Sequence, residues 1–153
     1  MVLIVNRNEM FTRFHKHWTG INAAYENYAS TLGISFSALQ TLYEIYSSDI
    51  PVTQRMICEN ARLPKTTVNA IIAGFVKQGY VELRELADDR RKKSICFTDS
   101  GYAYAKPIME HMSRSEIQAF EMLDEATMQI MIEGIEEYQK NFNEKLNQTN
   151  GGK

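Results

Sequence analysis

Between residues 51 and 101 the hydrophobic period of the chain changes from that of a helix to that of a strand. Apolar side chains in residues 65–78 recur at the i, i+3, i+4, i+7 spacing of an amphipathic helix, at Val68, Ile71, Ile72 and Phe75. Residues 80–85 and 94–97 instead alternate apolar and polar side chains, which is typical of half-buried strands. The pattern therefore predicts a short helix followed by a two-stranded hairpin.

Turn and cap residues mark the ends of these elements. Thr53 is a good N-cap for an earlier short helix that ends near Arg62. Pro64 lies in the following turn, where its missing N–H is tolerated because the first helical turn leaves that group unpaired. Gly79 suits the C′ position after the second helix. Two short helices joined by a turn, and then a hairpin with a charged tip, predict a winged helix-turn-helix.

Two long helices with apolar seams are predicted on either side of this segment. One covers residues 8–32, where Gly33 stops it, and the other begins near Asp124. The large apolar residues in both step by three and four, which is the spacing of a coiled-coil seam. The first seam is Phe11, Phe14, Trp18, Ile21, Tyr25, Tyr28 and Leu32, and the second is Met128, Met131, Ile135, Tyr138, Phe142 and Leu146. Each seam packs either on its own domain or on a partner helix in a dimer, and spacing leaves both open.

Two further helices complete a mainly α chain of about six helices with a small β-hairpin. Ser35 is a good N-cap for a helix over residues 36–46. Its expected core face is Leu39, Leu42, Tyr43 and Tyr46. Thr98-Asp99-Ser100 caps the other helix, which runs to His111 or beyond, with Pro107 a candidate kink.

The length of 153 residues and the composition predict one compact domain from residue 1 to residue 153. The apolar run at residues 1–5 is too short for a signal h-region or a membrane span, and no other stretch approaches 18 apolar residues. With two cysteines that show no disulfide spacing, these features predict a cytoplasmic protein without membrane partners. Residues 147–153 are expected to be a disordered tail.

Charge is distributed unevenly along the chain. Residues 62–93 hold eight basic and four acidic side chains, a net charge of +4 in a chain whose overall net charge is −2. Because phosphate attraction is local under physiological screening, a cationic lobe on an acidic body is compatible with binding double-stranded DNA.

The second short helix carries the candidate base-reading residues. At 100° per residue, Thr66, Ala70 and Lys77 point away from the apolar face, and Thr67 and Asn69 lie on its flanks. A major groove admits one helix, whose N-terminal turns reach the base edges. An asparagine can pair with adenine through two hydrogen bonds, and threonine methyls can contact the thymine methyl. The alternative is an ordinary solvated helix face. The predicted DNA-reading residues on this helix are Lys65, Thr66, Thr67, Asn69, Ala70 and Lys77.

The tip of the hairpin is the second candidate DNA contact. It carries Arg90, Arg91 and Lys92, and an arginine in a narrow A·T minor groove gains from the enhanced negative potential there. Asp89 is placed to brace Arg91 through a charge-assisted hydrogen bond. The alternative, a solvated charge run, leaves the strand-like flanks unexplained.

The sequence contains no catalytic, metal or cofactor motif. It has no Gly-rich phosphate loop, nucleophile elbow or paired-acid motif, so an enzyme is not expected. His15, His17 and His111 lack ligand spacing with a cysteine or carboxylate cluster, which argues against zinc. Neither Cys58 nor Cys96 has the features of a low-pKa sensor thiol.

The stretch from Val52 to Gly101 resembles the MarR family of bacterial transcriptional regulators. The resemblance is carried by Leu63-Pro-Lys-Thr-Thr-Val68, Gly79-Tyr-Val-Glu82, Asp89-Arg-Arg91 and Thr98-Asp-Ser-Gly101. These motifs cover about a third of the chain, and the helices on either side extend the likeness to nearly all of it. One departure is Pro64, which stands where the family often has a small capping residue.

The resemblance implies a homodimer in which separate segments of the chain form the dimer interface and bind DNA. Residues 1–33 and 99–146 would form the dimerisation helices, and residues 34–98 the winged DNA-binding region. Arg91 would be the minor-groove arginine and Asp89 its support. An isologous dimer would hold two reading heads about one helical turn of DNA apart, so the binding site would be a near-palindrome.

The resemblance also implies a repressor that a small aromatic effector releases. Such a ligand would suit a pocket lined by Phe14, Trp18, Tyr25, Tyr43 and Tyr46, although packing in the core is an alternative role for these aromatic residues. Two other functions stay open: a winged helix used for contact with another protein, and a ligand-binding helical dimer without DNA activity. Steep weakening of binding with salt would distinguish the DNA reader from both.

Overall fold

The computed structural model describes residues 6–86 and 93–150, which contain six helices and three short strands. This architecture confirms the mainly α winged helix-turn-helix that the sequence predicts. In chain order the elements are α1 (Arg7–Thr31), α2 (Phe36–Tyr46), β1 (Val52–Thr53), α3 (Gln54–Asn60), α4 (Lys65–Lys77), β2 (Val81–Glu85), β3 (Lys93–Phe97), α5 (Asp99–Glu121) and α6 (Glu125–Asn150).

The chain divides into two compact units, Met1–Met109 and Glu110–Lys153. The first unit holds α1 to α4, the sheet and the beginning of α5. The second unit holds the rest of α5 and the whole of α6. The helix α5 passes through Pro107 without ending there.

The core of the first unit forms where α2, α3 and α4 pack together. Leu39 and Leu42 of α2, Ile57 of α3 and Val68 of α4 are fully or almost fully buried. Burying a side chain of this size contributes about 1.5–3 kcal/mol, so these residues fix the mutual positions of the three helices.

The buried stripe of α2 differs from the prediction. Tyr43 is 45% exposed and Tyr46 is half-buried, whereas Ile45 is buried at 7% exposure. The predicted core face was therefore wrong for Tyr43, and it omitted Ile45. The physical reason is that three helices, α1, α3 and α4, pack on α2, so its buried face is wider than the stripe that periodicity predicts. The centre of that face therefore lies closer to Ala38 and Ile45.

The three strands form one antiparallel sheet in the order β1-β3-β2. The strands β2 and β3 are the predicted hairpin, with Val81 opposite Phe97 and Glu85 opposite Lys93. The strand β1 adds Val52 opposite Ile95, so the two residues before α3 are tied to the hairpin. The sheet thereby joins the start of α3 to the strand that follows the tip.

A compact hydrogen-bonded junction connects the end of α4 with the start of α5. The Thr98 hydroxyl donates to the Gly79 carbonyl at 2.6 Å and accepts from the Gly101 N–H at 3.0 Å. The Thr98 N–H donates to the Tyr80 carbonyl at 3.0 Å. Gly79 makes the turn with φ at +74°, a backbone conformation that residues with a side chain rarely adopt. The Thr-Asp-Ser-Gly motif is therefore the part of the sequence that closes this junction.

Glycine is required at position 101 because no side chain fits there, and not because of its backbone conformation. A Cβ at this position would lie 1.7 Å from the Tyr80 carbonyl oxygen, far inside van der Waals contact. The first turn of α5 can approach the start of β2 only because no side chain stands between them.

The helix α6 begins with a side-chain cap and ends later than predicted. Asp124 accepts from the Thr127 N–H at 3.0 Å and from its hydroxyl at 2.6 Å, and these bonds lower the pKa of the carboxyl. The helix continues to Asn150, so residues 147–150, expected in the disordered tail, are helical. Lys145 Nζ donates to Gln148 Oε1 at 3.3 Å across this last turn. The predicted end was based on the apolar seam, which stops at Leu146, and a polar i,i+3 contact of this kind is not part of that pattern. Residues 151–153 lie outside the described residues.

None of the helices in residues 6–86 and 93–150 is long and apolar enough to cross a membrane.

Candidate nucleic-acid interface

The helix α4 presents a polar face opposite its buried one. Val68, Ile72 and Phe75 are buried against the core. The exposed residues opposite and beside this buried face include Lys65, Thr66, Asn69, Ala70 and Lys77, and Thr67 is half-buried. The structure therefore brings the six predicted α4 residues to the surface of one helix.

The N-terminus of α4 has free backbone donors. Its N-cap is Pro64, whose ring offers no side-chain acceptor, and the first intrahelical bond runs from the Val68 N–H to the Pro64 carbonyl at 3.1 Å. The N–H groups of the first turn therefore lack intrahelical partners, as at every helix start. With Lys65 beside them, they are suited to a phosphate oxygen.

A glutamine on α3 contacts this face. Gln54 Nε2 donates to Asn69 Oδ1 and, at 3.4 Å, to the Lys65 carbonyl oxygen. Gln54 was not among the predicted site residues. Periodicity could not have found it, since the two amides are 15 residues apart and meet only when α3 packs on α4.

An open groove of about 1230 Å³ lies between the two short helices and the sheet. Ile72 and Val76 of α4 and Leu83 and Ile95 of the sheet form its apolar lining. Polar side chains from both sides also line it, including Gln54, Lys65, Asn69, Lys77 and Lys93. One flank of the α4 face and the strands leading to the tip therefore share a single concave surface.

Two arginines near this surface are paired with carboxylates. Arg55 Nε donates to Glu59 at 2.7 Å, and Arg84 Nε donates to Glu82 at 2.7 Å. The hydrogen bond to the carboxylate raises the pKa of each guanidinium. Both pairs are exposed, so they contribute little stability, but they offset part of the positive charge beside α4.

The predicted tip contacts Asp89, Arg90, Arg91 and Lys92 lie outside the described residues. The described strands lead to the tip from both sides, with Glu85 opposite Lys93 as the last pair.

Four of the five predicted effector-pocket residues take part in aromatic ring contacts. Tyr25 stacks on Phe36 with ring centroids 5.9 Å apart, and Phe14 is tilted against Trp18 at 6.0 Å. Tyr46 stacks on Tyr102 at 5.8 Å, and Tyr43 is exposed. None of the five lines the groove beside α4.

Cys58 and Cys96 are both half-buried free thiols, and Cys58 lines the groove. Its place at the groove leaves Cys58 partly accessible. Within the described ranges no three His, Cys, Asp or Glu side chains are arranged to hold a metal ion.

Arg62 has the one non-glycine positive φ among the residues that the structure describes, at +54°. It follows the Ala61 C-cap of α3, where helices commonly place glycine. A left-handed conformation costs an L residue about 1–2 kcal/mol. A strained, exposed arginine in the turn before α4 is a further candidate for contact with the DNA backbone, and its conformation was not visible in the sequence pattern.

Arg62→Gly is expected to stabilise the protein and to weaken its binding to DNA. Relief of about 1–2 kcal/mol of backbone strain exceeds the roughly 0.4–1 kcal/mol that a freer unfolded chain costs. The net gain of about 0.5–1 kcal/mol should appear in thermal or urea unfolding. Arg62→Lys keeps both the strain and the charge and serves as the control. Loss of stability in the glycine variant would contradict the assignment of strain.

The helix pair α3–α4, the sheet that follows and the polar outer face of α4 define a winged helix-turn-helix protein. Comparisons with known proteins identify the family. Residues 32–92 match the model of the MarR family, and no curated protein matches the chain. The winged-helix segment is therefore similar to the MarR family of transcriptional regulators, as its motifs indicated.

Solved structures extend the likeness of the fold beyond residues 32–92. The MarR family regulator NMB1585 from Neisseria meningitidis is 20% identical, covers 92% of this chain and 98% of its own, and superposes with a TM-score of 0.77. MepR from S. aureus in complex with DNA is 16% identical over 86% of this chain and 96% of its own, with a TM-score of 0.68. CouR from Rhodococcus jostii RHA1 bound to p-coumaroyl-CoA is 16% identical over 88% of this chain and 92% of its own, with a TM-score of 0.64.

Proposed function

We propose that this protein is a transcriptional repressor that binds a near-palindromic DNA site as a homodimer and is released by a small-molecule effector. The observation that carries the proposal is the exposed polar face of α4, which shares one concave surface with the strands of the hairpin. Lys65, Lys77 and Lys93 lie along that surface, where they can neutralise phosphates on either side of a major groove.

The match of residues 32–92 to the model of the MarR family supports the DNA-binding part. MepR, which shares the fold, has been solved in complex with DNA. In the same arrangement, α4 of this protein would lie in the major groove, and Arg91, supported by Asp89, would enter the neighbouring minor groove.

The exposed apolar seams support the homodimer. Phe11, Trp18 and Ile21 of α1 are exposed, and so are Ile135 and Phe142 of α6. Aromatic and aliphatic side chains in regular seams are costly to leave in water, at about 25 cal/mol per Å² of apolar area. Burial of each seam against a second copy removes that cost, and two-fold symmetry would then place two α4 helices on one duplex.

A protein of the same fold supports release by an effector. CouR, which shares the fold, was solved with p-coumaroyl-CoA bound. An effector acts as a switch only when it binds the DNA-free arrangement of the dimer more tightly than the DNA-bound one. An organic acid or thioester that lowers operator affinity would identify such a ligand.

Salt dependence of binding tests the proposal. We expect operator affinity to fall steeply with salt, because each neutralised phosphate contributes a slope of about −0.9 to log K against log[salt]. Lys77→Ala should weaken binding to all duplexes and reduce the slope by roughly 2, one for each protomer of a dimer. Fluorescence anisotropy with a duplex selected from a random pool measures both quantities.

Lys140→Ala is the matched control, because this exposed lysine lies on α6. Its salt slope should equal that of the parent. Binding of a protein or a small ligand without any affinity for duplex DNA would favour one of the two other functions instead.

A further inference from the structure

We infer that Gln54 is a specificity-determining residue, which fixes the amide of Asn69 so that it reads guanine rather than adenine. This inference rests on the proposed function and deepens it. It differs from the reading that the sequence suggested, in which Asn69 pairs with adenine.

The hydrogen bonds of Gln54 set the orientation of both amides. The Lys65 carbonyl oxygen can only accept, so the Gln54 atom that faces it at 3.4 Å must be the amide nitrogen. The same nitrogen faces Asn69, so the atom it meets there must be an acceptor, Oδ1. The two hydrogens of Gln54 Nε2 are thereby both used. The Lys65 carbonyl, held by the backbone of α4, is the fixed reference for the arrangement.

The pairing changes what Asn69 offers to DNA. A free asparagine recognises adenine by accepting from N6 through Oδ1 and donating to N7 through Nδ2. Here Oδ1 is directed at α3, where it accepts from Gln54, so Nδ2 with its two hydrogens is the amide atom on the other side. An asparagine that turns its NH₂ group rather than its oxygen toward the bases matches a base edge with two acceptors. In the major groove that edge is guanine, through N7 and O6.

Asn69 is exposed and Gln54 is half-buried, and neither belongs to the buried core, so the inference can be tested without loss of the fold. Gln54 is the first residue of α3, where a glutamate would interact favourably with the helix dipole. Gln54→Glu replaces the donor with an acceptor. The carboxylate would then bind Asn69 Nδ2 and turn Oδ1 outward, so the amide would present an acceptor to the bases.

The experiment is selection of binding sites from a pool of duplexes with randomised centres, using the full chain. Asn69→Ala first identifies the base pair that Asn69 reads, as the position at which selectivity disappears. There the parent should prefer guanine over adenine by roughly tenfold. Gln54→Ala should reduce this ratio to about one, and Gln54→Glu should move the preference to adenine or cytosine, whose amino groups donate.

Two control variants distinguish a change in base preference from a loss of folding and from the effect of added negative charge. Gln78→Ala, at the C-terminal end of α4, should keep the parental profile. In the Asn69→Ala background, Gln54→Glu should leave the same base pair without selectivity, although the added negative charge lowers overall affinity. Thermal unfolding should give similar midpoints for the parent, Gln54→Ala and Gln78→Ala.

The inference is overturned if the parent selects adenine at the Asn69 position, or if Gln54→Ala and Gln54→Glu keep the parental profile. In both cases the parent still selects a DNA site, so the proposed function stands. If the parent enriches no duplex, the proposed function fails, and the inference fails with it.

Discussion

Gly101→Ala should lower the free energy of unfolding by about 2–3 kcal/mol, because the added methyl group collides with backbone that cannot move away. The new Cβ would lie 1.7 Å from the Tyr80 carbonyl oxygen. That oxygen already accepts from the Thr98 N–H, and the Val81–Phe97 pair of the hairpin follows directly. Moving Tyr80 therefore disturbs the sheet, and moving Gly101 breaks its bond to Thr98 Oγ1.

Thermal unfolding followed by circular dichroism would show a midpoint lowered by roughly 10 °C. Gly74→Ala is the matched control, since nothing lies within 4 Å of a Cβ built there. In the middle of α4 the same substitution should raise stability by up to about 1 kcal/mol through helix propensity. If both substitutions changed the unfolding midpoint equally, the close approach of Gly101 to Tyr80 would not be the reason for glycine at position 101.

Ile135→Glu combined with Phe142→Glu should convert the proposed dimer into monomers and abolish tight operator binding. Both residues are exposed on the seam of α6, so the charges do not disturb the interior of the described chain. In a dimer they would be buried without partners, which is strongly unfavourable. Loss of the second reading head removes the gain from bivalent attachment, roughly 10²–10⁴-fold in affinity.

Analytical ultracentrifugation and anisotropy with the selected duplex measure the two effects. The control is Lys140→Glu, which introduces the same side chain on the polar face of α6. It should stay dimeric and keep operator affinity within a few-fold of the parent. A double variant that remains dimeric would remove the α6 seam from the interface, and a monomer with unchanged affinity would show that one reading head suffices.

Local signals predicted the elements well because the elements depend on local physics. Ser35 and Thr53 cap their helices as expected, and α4 begins after Pro64 and ends before Gly79. The burial of Tyr43 was predicted wrongly for the opposite reason. A tyrosine fits the periodicity of an apolar face, and only the packing of neighbouring helices on α2 decides that Ile45 is buried in its place.

The sequence alone determined the order of the six helices and the two hairpin strands, the outward face of α4 and the need for glycine at the turn after it, because caps, periodicity and backbone sterics act within a few residues. Only the tertiary structure decided which amide holds Asn69, why Gly101 has no side chain and which backbone position in the turn is strained. Gln54 and Asn69, like Tyr80 and Gly101, are far apart in the sequence, and their contacts exist only after helices and strands have packed.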